Sequence, residues 1–144
     1  METLSYFCQA PDLRPICATD GAGGLDLRCD RFTRIERGES ICVGTGIHVE
    51  IPDDHVGLLC LRSSMGVKGL KLANQIGVID SDYRGEVMVT LESTSDEPID
   101  IDRGERIVQL VVLPQPRMFI QEVELGEMWE TERGTGGYGS TGRV

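Results

Sequence analysis

The chain has 144 residues, about 40% of them hydrophobic, which is the length and composition of one globular domain with a real core rather than a disordered chain. Asp and Glu outnumber Lys and Arg by 24 to 14, for a formal net charge of −10. So acidic a chain repels phosphate at long range, which excludes general binding to DNA, RNA or anionic membrane.

The N-terminus, Met1-Glu2-Thr3-Leu4, shows no basic or long apolar signal region, and no apolar run approaches the roughly 18–20 residues of a membrane span. An intracellular, cytoplasmic protein is therefore expected. The five cysteines, Cys8, Cys17, Cys29, Cys42 and Cys60, are odd in number and irregularly spaced, which predicts reduced, buried thiols. Neither His48 nor His55 has zinc-ligand spacing to a cysteine pair.

Residues 10–20 read as a Pro-interrupted linker or edge. In Ala22-Gly23-Gly24-Leu25-Asp26-Leu27, an Asp between leucines suggests a carboxylate pinned where a strand begins, although a lone Asp there also fits a turn cap. Ile47 to Ile51 alternates apolar and polar, Pro52-Asp53-Asp54 punctuates, and Val56 to Leu61 resumes, so residues 47–61 are predicted to form a hairpin. In Leu61-Arg62-Ser63-Ser64-Met65-Gly66, Ser63 is expected to cap a single helical turn running to Gly69; an arginine with hydroxyls at a helix start suits an anion.

Gly77 to Gly85 delivers Asp80 to a turn with Tyr83 three residues later. Asp80 suits a general base and Tyr83 a flat wall for a sugar or base, though the same pattern alone fits a plain surface turn. Strands are predicted over Val87–Leu91, Ile107–Leu113 and Met118–Val123. Gln109 is a polar residue in an apolar strand that must find a partner. Arg-Gly-Glu at 37–39, 84–86 and 103–105 is turn chemistry, since the flanks differ.

Residues 133–142 hold five glycines beside Arg133, Ser140 and Thr141, a composition that lets backbone N–H groups face a phosphate chain. Gly134, Gly136 and Gly139 match G-x-G-x-x-G, but only five residues follow Gly139, so the dinucleotide-binding reading fails, and the P-loop lysine is missing. Eighteen glycines and six prolines cut the chain into short strands, which predicts an all-β sandwich or barrel with one short helix at most. The expected division is a β domain over residues 1–125 and a Gly-rich C-terminal arm over 126–144.

Taken in order, Ala22–Leu27, Arg62-Ser63-Ser64, Asn74–Gly85, Gly104–Leu110 and Arg133–Gly142 resemble the five motifs of the trimeric dUTPases, across nearly the whole chain. Departures are Tyr138 where Phe is usual, Ser64 where Gly is common and Leu61 where Pro is common. The resemblance implies a jelly-roll-like subunit in a homotrimer, with sites at subunit contacts and an arm that closes over dUTP. It implies Mg²⁺ as cofactor and hydrolysis to dUMP and pyrophosphate, which limits uracil in DNA and supplies dUMP. It implies that Asp80 activates water and holds the 3′-OH, and that Tyr83 packs under the deoxyribose and leaves no room for a 2′-OH. Asn74, Gly77 and Val78 would read uracil. Arg62, Ser63, Ser64 and Gln109 would contact phosphates, and Asp26 would meet Mg²⁺ through water. Arg133, Gly137, Gly139, Ser140 and Thr141 would clamp the outer phosphates, with Tyr138 over the base.

The related dCTP deaminases share the fold and an Arg-Ser-Ser motif, but their catalytic Glu falls where this chain has Thr90. Zinc-dependent deaminases are excluded by the lack of Pro-Cys-x-x-Cys. A nucleotide-binding module without turnover is disfavoured by Asp80, Tyr83, Arg133 and Ser63 all being present.

Overall fold

The computed structural model describes residues 3–137. Ten strands carry the fold: β1 (Ser5–Cys8), β2 (Leu25–Arg28), β3 (Thr33–Ile35), β4 (Ser40–Glu50), β5 (His55–Leu61), β6 (Leu70–Leu72), β7 (Gly77–Ile79), β8 (Glu86–Ser93), β9 (Ile99–Ile101) and β10 (Arg106–Pro114). One helical turn, α1 (Ser63–Val67), and 3-10 turns at Pro11–Leu13 and Leu125–Glu127 complete the set. One four-stranded sheet runs β1-β4-β8-β6, a second runs β2-β10-β5-β7, and β3 pairs with β9 as a ribbon. The result is a sandwich and not a closed barrel.

Period-2 patterning explains the core. In β8, Val87, Val89 and Leu91 are buried while Met88 between them is exposed. They meet Leu27, Leu59 and Leu110 of the other sheet in one apolar cluster. Strand β4 departs from alternation because its pairing with β8 shifts between Gly44 and His48. Gly46 has a left-handed backbone (φ 67°), and its N–H donates to Glu86 Oε1 at 2.8 Å. Thr45 is buried there, with its hydroxyl donating to Val87 O at 2.8 Å. Such a bulge re-aims the side chains that follow it.

Four expectations are corrected. Residues 47–61 are not a hairpin: β4 and β5 belong to different sheets, so the turn at Pro52–Asp54 carries the chain across the sandwich. One flanking run alternates and the other is an apolar run, and neither pattern says which strand becomes the partner. Residues 118–123 form no strand, because no neighbouring edge meets them within the chain; Phe119 and Ile120 are fully exposed. Ser63 does not cap α1. Arg62 occupies the N-cap, without a side-chain cap, and its carbonyl accepts Met65 N–H at 3.0 Å. Of the thiols expected to be buried, only Cys29 is fully so; Cys17 and Cys42 are exposed. Cys42 sits on the outward pleat of β4, beside buried Val43.

The Arg-Gly-Glu tripeptides divide into two kinds. Gly38 and Gly104 take the left-handed conformation that glycine adopts freely (φ 70° and 83°). Gly85 does not, and its reason lies in the site described next.

Candidate active site

Motifs far apart in sequence meet in a cleft of about 230 Å³ lined by Ala22, Gly23, Gly24, Asp26, Arg62, Ser63 and Gln109, with Ala18. Asp26 and Gln109 face each other across the β2–β10 pair. Met65, buried in the core, anchors α1 and leaves Ser63 and Ser64 exposed at its outer end. Gly24 is small for a reason: a Cβ there would press on Gln109 Cβ at 3.2 Å and Oε1 at 3.3 Å. Its absence lets the Gln109 side chain lie over the β2 backbone.

The floor of the cleft is a three-residue charge cluster. Asp26 Oδ2 accepts a hydrogen bond from Arg106 Nη1 at 3.0 Å and forms an ion pair with Arg62 Nε at 3.1 Å. The Asp26 side chain is 9% exposed, against 24% for Arg62 and 35% for Arg106. One buried carboxylate between two guanidiniums leaves a net charge of +1 facing a cleft that also offers hydroxyls and an amide. Such a surface suits a phosphate chain. Sequence reasoning missed Arg106. Its signal was present in the Gly104–Leu110 motif, but only the fold puts it opposite Asp26. Lys68 Nζ and Glu105 Oε1, 2.5 Å apart, tie the helix end to the same turn.

The Asn74–Gly85 motif stands elsewhere. β7 pairs with β5, with Val78 opposite Leu58 and Gly77 opposite Leu59. A Cβ on Gly77 would lie 3.0 Å from Leu59 Cβ, so any larger residue would crowd Leu59. The loop before it holds Gln75 in the left-handed region (φ 62°), where a non-glycine residue is strained. A pocket of about 190 Å³ opens here, lined by Asn74, Gly77, Val78, Leu72, Met88 and Thr90, with Leu59, Ile79 and Val89. Thr90, the position that would carry Glu in a deaminase, is therefore on the wall of this pocket.

The turn that follows presents Asp80 and Tyr83 to solvent. Tyr83 N–H donates to Asp80 O at 3.1 Å, and the phenol hydroxyl donates to Glu86 O at 2.8 Å. The ring, 41% exposed, lies across Gly85, where any Cβ would collide with the phenol oxygen and ring carbons. Gly85 is thus required by Tyr83, not by its own backbone angles.

Not all the expected residues are brought together. β2 and β7 are opposite edges of one sheet, three strand spacings or about 14 Å apart. The turn with Asp80 and Tyr83 follows β7 at one edge, whereas the cleft runs from Asp26 on β2, the other edge, across β10 to Arg62 and Ser63, which follow the inner strand β5. Arg133 is exposed, its Nε donating to Gly136 O at 2.8 Å within the arm, and exposed Gly137 follows it. Tyr138, Gly139, Ser140 and Thr141 lie outside the described residues. Among the described residues, no helix is long and apolar enough to cross a membrane.

Comparison with known proteins identifies the arrangement. A family model described as dUTPase matches residues 14–142. The deoxyuridine 5'-triphosphate nucleotidohydrolase of Anaeromyxobacter sp. (strain Fw109-5) is 46% identical over 130 residues, covering 90% of this chain and 87% of the relative. That of Cutibacterium acnes is 42% identical over 134 residues, covering 92% and 87%. Among solved structures, Staphylococcus bacteriophage 80alpha dUTPase with dUPNHPP superposes with a TM-score of 0.89 at 26% identity, covering 99% of this chain and all of the other. A match over nearly the full length, with the motif glycines and charges in the places described, leaves one assignment: the chain belongs to the dUTPase family, enzymes that hydrolyse deoxyuridine 5'-triphosphate.

Proposed function

We propose that this dUTPase works as a homotrimer, taking dUTP with Mg²⁺ and directing water at the α-phosphorus, in sites built from more than one copy of the chain. The observation that carries the reading is the separation of its halves. Asp26 of the cationic phosphate cleft is on β2, and the base-and-sugar segment follows β7, the opposite edge of the same sheet. A triphosphate reaching both is most simply shared by the cleft of one copy and the turn of the next. The apolar strip Met118, Phe119, Ile120, Leu125 and Trp129, exposed on the single chain, supports a covering neighbour.

The chemistry follows from residue types. Asp80 takes a proton from water while holding the 3′-OH. A bond forms from the water oxygen to the α-phosphorus, the bond to the bridging oxygen on the β side breaks, and pyrophosphate leaves with dUMP retained. Tyr83 packs under the deoxyribose, and its hydrogen bond to Glu86 O holds it where a 2′-OH would have no room. Asn74 and the backbone at Gly77 and Val78 read uracil through donors and acceptors that cytosine inverts. Arg62, Ser63, Ser64 and Gln109 bind the phosphate chain. Asp26 is the carboxylate at the cleft floor and would hold Mg²⁺ indirectly, through water. The ion supplies neutralisation of phosphate charge. Residues 126–144 act as the arm, with Arg133, Gly137, Gly139, Ser140 and Thr141 clamping the outer phosphates and Tyr138 covering the base. Closure expels water and strengthens the charge contacts inside. Turnover would limit uracil in DNA and supply dUMP.

The test supplies dUTP, dCTP, dTTP and UTP in turn with Mg²⁺ and measures pyrophosphate and ammonia. Pyrophosphate from dUTP alone is expected. Ammonia from dCTP, or equal pyrophosphate from UTP, overturns the reading.

A further inference from the structure

The turn that carries Asp80 and Tyr83 is exposed, yet its far end is fastened to the N-terminal sheet. The fastening begins at the β4 bulge. Past the bulge, His48 pairs directly with Glu86, the first residue of β8. Its Nδ1 lies 3.0 Å from Arg84 O. A carbonyl only accepts, so Nδ1 carries a hydrogen. On the other side of the ring, Gln9 Nε2 lies 3.4 Å from His48 Nε2 and donates to Glu86 Oε2 at 3.3 Å. Gln9 is itself fixed, its backbone N–H donating to Gly46 O at 2.8 Å. Phe7 meets the imidazole edge-to-face with ring centres 5.7 Å apart. The ring thus has three partners, Phe7 of β1, Gln9 just after it, and the Arg84 carbonyl just before β8.

On the turn itself, Arg84 Nη1 donates to Ser81 O at 2.6 Å and Tyr83 O at 3.0 Å, which makes the loop a rigid unit. Besides its Tyr83 bond to Glu86 O, the unit meets the body through the bond from His48 to Arg84 O.

We propose that His48 is a positioning residue for dUTP hydrolysis: its Nδ1–H, donated to Arg84 O, holds the 80–85 turn where Asp80 and Tyr83 meet the substrate. This rests on the proposed role of Asp80. The base-reading strand is held separately by the β5–β7 ladder, and the phosphate cleft is built on β2, β10 and the segment after β5, none of which His48 touches. Loss of the brace therefore acts on turnover more than on binding, because small misplacements of a catalytic group cost rate steeply.

The experiment compares His48→Ala, His48→Asn and His48→Gln in the full chain with Mg²⁺ and dUTP. An Asn amide N–H falls near the place of Nδ1–H, whereas a Gln amide reaches toward Nε2. His48→Ala is expected to lower kcat about tenfold with KM within about threefold. His48→Asn should recover most of that loss, and His48→Gln should not. If His48→Ala turns over at the wild-type rate, or if Asn and Gln are equally impaired, the brace is refuted. The Asn and Gln comparison holds even if the Ala variant folds poorly. Asp80→Asn is run beside them. Wild-type turnover in that variant removes the general-base reading, whereas an inactive Asp80→Asn with a fully active His48→Ala removes the brace alone.

Discussion

Replacing Asp26 with Asn takes the single negative charge from between Arg62 and Arg106. Each guanidinium contact, near 3 Å, is worth about 5 kcal/mol of gross attraction at an effective dielectric of about 20. Desolvation of three charged groups offsets most of this. Breaking a buried pair from one side costs about 3–5 kcal/mol. The two arginines keep some contact with water, and Asn still offers one acceptor, so the low end applies, about 3 kcal/mol. For a chain of this length that is a fall in Tm of about 10 °C. The assay is thermal unfolding by circular dichroism at one fixed protein concentration, with EDTA and no nucleotide, so that neither Mg²⁺ nor ligand contributes. A fall of less than about 2 °C under those conditions would show that the carboxylate is not structurally committed to the arginines. Arg106→Gln should cost less, because the Arg62–Asp26 pair survives. In the double variant Asp26→Asn with Arg106→Gln, the two losses should fail to add by about 1–2 kcal/mol, the signature of a shared contact. Strict additivity would refute the cluster.

Three further outcomes are expected. Gly85→Ala displaces the Tyr83 ring from its seat, so kcat/KM for dUTP should fall about 100-fold while Tm drops by only a few degrees, since a single half-exposed hydrogen bond is lost; kcat/KM within twofold of wild type would mean the ring is not held by that glycine. The Arg103 guanidinium, hydrogen-bonded to Asp12, holds its carboxyl below the usual 3.8 and is itself held more basic. A depressed carboxyl pKa stabilises the fold at pH above about 4, and that contribution fades as pH falls through the folded-state value. Asp12→Asn should therefore unfold at a slightly lower temperature than wild type at pH 7, with the gap narrowing as the solution is made acid; a gap that does not narrow in acid would contradict this origin. Removing residues 133–144 should leave a folded protein with turnover reduced by orders of magnitude, read by circular dichroism and pyrophosphate release; an unfolded product would make the arm part of the core.

The inner strands were legible because alternation records which face of a strand is buried. Val87, Val89 and Leu91 announce β8 in this way, while β10 is announced by its near-continuous apolar run from Ile107 to Leu113. The motif residues were legible too, since the spacing from Asn74 to Gly85 and the glycines near Gly24 reflect local demands of close approach. Pairing was not. The runs on either side of Pro52 look like hairpin arms, and the fold sends them to opposite sheets. The partner of a strand depends on contacts remote in sequence, about which period-2 patterning is silent. The apolar strip from Met118 to Val123 was misread for the same reason, since a strand needs an edge to pair with and the single chain offers it none.

By itself, then, the sequence determined the all-β class, the order of the motifs and the chemical types gathered for a triphosphate, because these follow from local patterning and side-chain chemistry. Only the tertiary structure decided that Asp26 lies buried between Arg62 and Arg106, that His48 reaches the carbonyl of Arg84, and that Asp26 and the Asp80 turn belong to opposite edge strands of one sheet. Those are relations between residues 36 to 80 positions apart. Strand pairing and the bulge in β4 set them, and no local pattern of side chains encodes that geometry.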